Sequence, residues 1–165
     1  MSRIGIISDT HDNTKNIDAT VKLFQESNVE FVIHAGDVVA PISVLRFKGL
    51  KTKWVFGNCD GDHANITARV KEIGGEHYGR VMDIKHDGRR IIVIHGDNHK
   101  LLAEALGKKP DYLIHGHTHI PEDKREGKTR ILCPGGHYLG DPAERNQVII
   151  LDTEKDEATF MYVDA

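Results

Sequence analysis

Short apolar runs alternate with amphipathic segments through the first half of the chain. The runs predict strands at Arg3–Ile7, Phe31–Ile33 and Trp54–Phe56. Helical signals follow each run: Ile17, Val21 and Phe24 at helical spacing, Pro41 ahead of Val44 and Phe47, and the stretch from Ile66 to Ile73. Strands that alternate with helices are typical of a parallel sheet covered by helices.

The second half is richer in strands, and its pattern favours antiparallel pairing. His86-Asp87-Gly88 separates the runs Val81–Lys85 and Arg90–Ile94 and predicts a hairpin turn. The other predicted elements are a helix from His99 to Leu106 and strands at Tyr112–Ile114, Arg130–Leu132, Gln147–Leu151 and Ala158–Val163. The polar stretch Glu122–Thr129 is expected to be an exposed turn. We therefore expect an α/β fold in which two sheets pack face to face with helices outside, as one domain over residues 1–165.

Composition excludes several classes of protein. Hydrophobic residues make up 39% and charged residues 28% of the 165 residues, which is typical of a globular protein and not of a disordered one. The formal charge of −3 argues against a dedicated nucleic-acid surface, and no apolar run approaches the roughly 20 residues that span a membrane. The N-terminus enters a strand-like run without a signal-peptide cleavage site, so we expect a cytoplasmic protein. Its two cysteines, Cys59 and Cys133, suit a reducing compartment.

Acidic residues, histidines and one asparagine fall shortly after predicted strands, usually beside a glycine. They are Asp9 and His11, Asp37, Asn58, His95, and the pair His117 and His119. Ligands of parallel α/β sheets bind outside the carboxyl ends of the strands, so we expect these side chains on one rim. The chain contains 11 histidines, and neutral imidazole is the commonest metal ligand.

The chemistry of this set suits two divalent metal ions. It comprises two carboxylates, four imidazoles and one amide. Two of the pairs are spaced two residues apart, which puts both side chains on one face of an extended chain. Two ions about 3.5–4 Å apart clamp phosphoryl oxygens and produce hydroxide at neutral pH. One carboxylate must bridge the ions, and Asp37, which stands alone at its strand end, is the candidate.

The same motifs resemble those of the calcineurin-like metallophosphoesterases. Asp9-x-His11, Gly36-Asp37, Gly57-Asn58, His95-Gly96 and Gly116-His117-x-His119 match that family's motifs in order. The short chain and the segment Ile7-Ser8-Asp9-Thr10-His11 are similar to the family's small bacterial and archaeal phosphodiesterase branch. The resemblance implies a four-layer αββα sandwich of two mixed sheets with outer helices.

The resemblance also implies how the ions are held and what they do. A first ion would be bound by Asp9, His11, Asp37 and His119, and a second by Asp37, Asn58, His95 and His117. A hydroxide that bridges the ions would attack phosphorus in line with the leaving oxygen. Manganese is the expected metal, with nickel, iron, zinc, cobalt or magnesium as alternatives. A small phosphodiester is the expected substrate.

One position departs from the family pattern. In many members a histidine follows the motif asparagine and is thought to protonate the leaving group, but here Cys59 takes that place and Asp60 follows. A free thiol has a pKa of ~8.5 and is a poor hydrogen-bond donor. We expect the catalytic residues to be Asp37, Asn58, Cys59 and Asp60, with weak assistance to the leaving group. Cys59 is either a small residue that fills the histidine's place or a reactive thiol.

Other functions stay open at this point. A phosphomonoesterase or nucleotidase would use the same ions, and nothing in the sequence selects between them. The family is also similar in fold to a retromer subunit that serves as a binding platform. Loss of metal ligands would mark such a role, whereas all seven ligand positions are present here. The sequence also leaves open a homo-oligomer and the reach of His137 into the cleft.

Overall fold

The computed structural model describes residues 3–163, and the elements in this range largely follow the apolar pattern. The strands are β1 (Arg3–Ile7), β2 (Phe31–His34), β3 (Thr52–Trp54), β4 (Glu76–His77), β5 (Val81–His86), β6 (Arg89–Ile94), β7 (Tyr112–Ile114), β8 (Glu122–Glu126), β9 (Thr129–Cys133), β10 (Gln147–Asp152) and β11 (Glu157–Tyr162). The helices are α1 (Thr14–Glu26), α2 (Pro41–Val44), which continues into a 3₁₀ turn at Leu45–Phe47, α3 (His63–Glu72) and α4 (His99–Gly107).

The strands form two mixed sheets. The first has the order β11-β10-β1-β2-β3-β4, in which β1 to β4 are parallel and β10 is antiparallel to both of its neighbours. The second has the order β5-β6-β7-β9-β8, with β6, β7 and β9 parallel and with antiparallel edge strands on both sides. The chain therefore completes the parallel part of the first sheet before it builds the second, and returns to the first with β10 and β11.

A buried apolar core lies between the two sheets. Ile4 and Ile33 of the first sheet and Val93 and Ile114 of the second belong to this one cluster. Because side chains alternate along a strand, Ile7 lies on the opposite face of β1, in a separate cluster with residues of α1 and α3. The outer face of the second sheet packs against α4. The layers are helices, sheet, sheet and helix, which confirms the predicted αββα sandwich.

Strand direction places the loops that carry polar residues at one end of this sandwich. The parallel strands β1, β2 and β3 all run toward the same edge of the first sheet, and β6 and β7 do so in the second. Backbone hydrogen bonds join neighbouring loops: Asp9 N donates to Gly36 O over 2.9 Å, and Gly116 N donates to His95 O over 2.9 Å. The rim is therefore a hydrogen-bonded extension of both sheets.

The expectation of an exposed turn over Glu122–Thr129 is wrong. Glu122–Glu126 forms the edge strand β8, which pairs antiparallel with β9, and only the two residues after it make the turn. The pattern concealed the strand because its residues are charged and mostly exposed, as is common at a sheet edge. Cross-strand charge holds it in place: the Arg130 guanidinium donates to both oxygens of Asp123, over 2.9 and 2.8 Å.

Element boundaries also differ from the sequence prediction, most clearly at the third strand and at helix α3, whereas the hairpin at residues 86–88 is confirmed. The third strand is Thr52–Trp54 and not Trp54–Phe56, because after Trp54 the Phe56 amide leaves the ladder and donates to Gly79 O. Helix α3 begins at His63, three residues before Ile66, since Asp62 caps it by accepting from the Asn65 amide. Among residues 3–163, no helix is long and apolar enough to cross a membrane.

Ile114→Ala is expected to lower the free energy of unfolding by about 2–5 kcal/mol, because it removes a fully buried side chain from the core between the sheets. Ile42, which is 72% exposed, offers a matched control, and Ile42→Ala should change that free energy by less than about 0.5 kcal/mol. Urea unfolding followed by circular dichroism measures both variants. Equal losses in the two would contradict the assignment of Ile114 to the core.

Candidate metal centre

Five of the seven predicted ligands converge at the rim where the two sheets meet. Asp9 Oδ1 lies 3.3 Å from His119 Nε2, 3.7 Å from His95 Nε2 and 3.9 Å from His11 Nε2. Asp37 Oδ2 lies 3.2 Å from His95 Nε2 and 3.5 Å from His11 Nε2. The two carboxylates come from the first sheet, and two of the imidazoles come from the second. The site therefore exists only where the sheets pack together.

The candidate ligand atoms form overlapping groups. Asp9, His11 and His119 make one group, and Asp9, Asp37 and His95 make another, with the atoms of each group within 4.8 Å of one another. The family resemblance implied that His95 binds a different ion from Asp9 and His11, and Asp37 Oδ2 faces one imidazole of each implied set, His11 and His95. Asp9 Oδ1 likewise faces His119 and His11 of one set and His95 of the other, so the choice of Asp37 as the bridging carboxylate stays a prediction.

The other two predicted ligands lie at the margin of this cluster. The His117 ring is exposed, with its centroid 5.3 Å from that of His95, and its backbone amide donates to Asp9 Oδ2 over 3.0 Å. The Asn58 side chain is also exposed, and its amide nitrogen lies 3.7 Å from Cys59 Sγ. His117 belongs to no close group of carboxylate, imidazole and thiol ligand atoms in the described range. Their role as ligands stays a prediction.

Five of the predicted ligands at the rim have a strained backbone conformation. Asp9, His11, Asp37, His117 and His119 all have positive φ, with values of 54°, 41°, 66°, 71° and 61°. Non-glycine residues rarely adopt this conformation, and each instance costs of order 1–3 kcal/mol. Such strain persists only where the surrounding structure imposes it, and it is typical of functional sites.

Two glycines allow the backbone to approach the carboxylates. A Cβ atom at Gly57 would collide with Asp37 Oδ1, and one at Gly116 would collide with Ser8 Oγ and Asp9 Oδ2. The space they leave lets main-chain amides reach the same oxygens: Cys59 N donates to Asp37 Oδ1 over 2.9 Å. Each carboxylate thus has one oxygen occupied by protein donors, and its other oxygen faces the imidazoles.

Hydrogen bonds on the far side of two imidazole rings determine which nitrogen faces the centre. His95 Nδ1 donates to Ala35 O over 2.7 Å, and His119 Nδ1 donates to Glu144 Oε2 over 2.7 Å. Both rings therefore direct Nε2 toward the carboxylates. A carbonyl or carboxylate behind a histidine is the usual arrangement for a metal ligand, because it selects the tautomer and makes the ring more basic.

Charged groups at the site shift the pKa values of several side chains. Burial alone would lower the pKa of His95, but the Asp37 carboxylate and the charge of Asp9 raise it to about 9. Contact with Asp9 likewise raises the pKa of His119 to about 9, against the effect of its burial. Burial would raise the pKa of Asp37, but His95 and the Cys59 amide lower it to about 2. The carboxylates thus attract positive charge strongly.

The donor atoms fit a cation. Asp9 Oδ1, His11 Nε2 and His95 Nε2 are all buried, and none makes a hydrogen bond of acceptable geometry with any residue in the described range. Buried polar atoms without partners are costly, so their convergence at one point calls for a further group that accepts lone pairs from oxygen and nitrogen. Divalent transition metals are bound by this combination of carboxylate and imidazole.

Asp60 joins the loops and does not face the cluster. Its Oδ2 accepts from the amides of Asp37 and Gly57, both over 2.8 Å, and its Oδ1 accepts from the Val39 amide over 2.8 Å. Both oxygens are therefore committed to the backbone, so this carboxylate fixes the loop after β2 against the loop after β3. The catalytic role assigned to Asp60 from the sequence stays a prediction.

The thiol of Cys59 is exposed beside the cluster, in a group of candidate ligand atoms with His11 and Asp37. Partial burial and the neighbouring Asp37 carboxylate raise its pKa. In the metal-free protein it is therefore a neutral thiol, which does not favour the reactive-thiolate alternative.

Sequence reasoning missed Glu144, whose carboxylate contacts His119. The residue lies far from every motif, in a segment without periodicity, so no signal in the sequence marked it. His137, by contrast, does not reach the centre: its Nδ1 accepts from Asn16 Nδ2 over 2.9 Å, and its Nε2 donates to Gln147 O over 3.0 Å. Both nitrogens are used in holding the last loop against α1 and β10.

Comparison with known proteins assigns this chain to a family. The model of the calcineurin-like phosphoesterase superfamily domain matches residues 2–156. Phosphodiesterase MJ0936 of Methanocaldococcus jannaschii is 32% identical over 162 residues, covering 94% of this chain and 95% of that protein. Phosphodiesterase YfcE of Escherichia coli K12 is 26% identical over 169 residues, covering 87% and 85% of the two chains.

A solved structure agrees with these sequence matches. The structure described as that of a novel archaeal phosphodiesterase superposes with a TM-score of 0.89 at 29% identity, covering 96% of this chain and 98% of the other. The family implies divalent metal ions, and the cluster described above offers ligands for them. With its sandwich fold and its rim of carboxylates and imidazoles, the chain belongs to the calcineurin-like phosphoesterase superfamily and is a hydrolase of the metallophosphoesterase type.

Proposed function

We propose that this protein is a metal-dependent phosphodiesterase that acts on small phosphodiesters at a centre for two divalent ions. The single observation that carries the proposal is the convergence of Asp9 Oδ1, His11 Nε2 and His95 Nε2, all buried and without a hydrogen bond to any described residue, beside the Asp37 carboxylate. Bound divalent ions supply a hydroxide nucleophile at neutral pH and neutralise charge on phosphoryl oxygens. Manganese is the proposed metal by resemblance to the family, and the mixed set of nitrogen and oxygen donors also suits several other transition metals.

Each ligand has a distinct part in the proposal. Asp9, His11 and His119 would hold the first ion, and His95, Asn58 and His117 the second, with Asp37 shared between them. Ser8 Oγ donates to Asp9 Oδ2 over 2.6 Å, which leaves Asp9 Oδ1 free for an ion. Because Asn58 and His117 are exposed, a second ion held by them would be more open to solvent and substrate than the first.

The diester assignment is supported by the relatives and by the charge around the centre. Both curated relatives described above are named phosphodiesterases. The ion pairs of Asp9 and Asp37 involve only histidines in the described range, so no lysine or arginine adjoins these carboxylates as a clamp for a second phosphate charge. A monoester dianion carries that additional charge, whereas a diester does not.

Metal affinity is expected to rise with pH between about 6.5 and 9, because an ion must displace protons from His95 and His119, whose pKa values lie near 9 in the metal-free protein. By the same linkage, these protonated rings stabilise the metal-free fold below pH 6.5, and that stability is lost as the pH rises through 9. Titration calorimetry in two buffers of different ionisation enthalpy measures the protons released. An affinity independent of pH over this interval would contradict the raised pKa values.

The activity itself is tested on chelated protein with added Mn²⁺, using a bis-aryl phosphodiester and the matching aryl monoester. Chelation should abolish hydrolysis, Mn²⁺ should restore it, and the diester should be the faster substrate. Asp37→Asn should reduce the rate by at least ~100-fold, because it removes the charge shared by both ions. This loss exceeds the ~10–100-fold typical of residues that only support a ligand. The control Asp18→Asn, at an exposed ion pair on α1, should retain activity. Full activity after chelation, or faster monoester hydrolysis, would sink the proposal.

The rate is expected to depend steeply on the leaving group, because the Cys59 thiol, which stands in the place of the family's histidine, is a poor hydrogen-bond donor to the leaving oxygen. Cys59→Ala should therefore change the rate on an aryl diester by less than about threefold, small beside the ~10²–10⁴-fold that general acid catalysis contributes. Cys59→His should help an alkyl diester more than an aryl one, even though Asp60 is committed to backbone amides and does not orient the new ring. Comparing both variants on one aryl and one alkyl diester measures this. A large loss in Cys59→Ala with normal metal content would show that the thiol takes part in the chemistry.

A further inference from the structure

The segment from Gly136 to Asn146 packs against the candidate centre, although none of its residues belongs to the predicted ligand set. Its ends are tied down: His137 N donates to Asp9 O over 3.0 Å, and Asn146 N donates to Gly136 O over 3.2 Å. Between these ends, the Tyr138 ring lies edge-on to the His11 ring, with centroids 5.3 Å apart. The segment therefore contacts two residues that are candidate ligands of the first ion.

Glu144 is the residue through which this segment reaches a third candidate ligand. Its side chain is only 2% exposed, and its Oε2 accepts from His119 Nδ1 over 2.7 Å and from the Tyr138 amide over 3.2 Å. Its Oε1 is buried and makes no hydrogen bond with any described residue. A buried carboxylate that is only half satisfied is costly unless positive charge lies nearby.

The main chain makes room for this contact at one position. A Cβ atom at Gly136 would lie 2.7 Å from His119 Nδ1 and 2.9 Å from Glu144 Oε1, both inside van der Waals contact. The φ angle of Gly136 is not positive, so a side chain is excluded there by the His119–Glu144 pair and not by backbone conformation. The two side chains and this glycine form one packed unit.

We propose that Glu144 is a positioning residue for His119 and that it couples metal affinity to the packing of segment 136–146. Its carboxylate holds the ring in the tautomer that directs Nε2 to the centre, and its charge makes that ring a stronger donor. Through the Tyr138 amide, the same oxygen keeps the segment against His11. The inference rests on the proposed metal centre, to which it adds a residue outside the predicted ligand set.

The test measures binding of Mn²⁺ and Co²⁺ to chelated full-length protein by competition with a fluorescent chelator. Glu144→Ala should weaken the affinity by about 10–100-fold, the usual effect of removing the partner of a ligand histidine. Glu144→Gln keeps an acceptor for Nδ1–H but loses the charge, so its loss should be smaller, near the lower end of that range. Glu157→Gln, at an exposed glutamate of β11, is the matched control and should bind as the wild type does.

Two further measurements separate positioning from a purely structural role. Gly136→Ala should weaken binding while the carboxylate is still present, because the new methyl group displaces the His119–Glu144 pair. The visible absorption of the Co²⁺-loaded protein should change in the Glu144 variants, since it reports the ligand field at the ion. Circular dichroism melting of the metal-free variants identifies any that do not fold. If Glu144→Ala does not fold, the affinity of Glu144→Gln, the most conservative change, decides the question.

The outcomes are distinct. The inference is supported if Glu144→Ala binds most weakly, Glu144→Gln binds more tightly and the wild type binds most tightly, with an altered Co²⁺ spectrum in variants whose metal-free form is folded. Wild-type affinity in folded Glu144→Gln and Glu144→Ala overturns it and leaves the proposed function standing. A wild-type protein that binds neither ion overturns the proposed centre, and this inference with it.

Discussion

The packing of two sheets across one apolar core is the constraint on which the rest of the molecule depends. Ile4 and Ile33 on one side and Val93 and Ile114 on the other belong to one buried cluster, which fixes how the sheets lie on each other. Because the parallel strands of each sheet end at the same rim, this packing brings Asp9 and Asp37 to within ion-pair distance of His95. The same apolar contacts that stabilise the fold therefore set the distances in the site.

Polar groups at the rim are only partly satisfied in the metal-free protein. Asp9 Oδ1, His11 Nε2 and His95 Nε2 are buried without a hydrogen bond to any described residue, and the neighbouring carboxylates make His95 and His119 hold protons more tightly. Five of the predicted ligands also have positive φ. Strain and unpaired polar atoms in one place are unfavourable for folding, but they preorganise a site for a cation that satisfies all of these atoms at once.

Support for the site comes from residues that do not face the centre. Asp60 joins two loops through three backbone amides, Ala35 accepts from His95, and Glu144 accepts from His119. These contacts orient the side chains that would bind an ion, so the geometry depends on a second layer of hydrogen bonds. The layer draws on both sheets and on the last loop, which makes the centre a property of the whole domain.

Much of this was accessible from the sequence because it depends on local pattern. Apolar runs predicted most of the strands, and turns rich in glycine with polar residues after strand ends predicted which side chains meet at the rim. The charged edge strand β8 was missed because its stability comes from cross-strand pairing with β9, which leaves no apolar alternation in its own residues.

The role of Asp60 in joining loops, the burial of His137 away from the centre and the contact of Glu144 with His119 were decided only by tertiary structure. Each depends on residues that are distant in the chain, such as His119 and Glu144, whose positions differ by 25. The sequence by itself determined which chemical groups stand at the strand ends. Their distances, tautomers and unpaired atoms were set only by the packing of the sheets, because no local pattern encodes the approach of one loop to another.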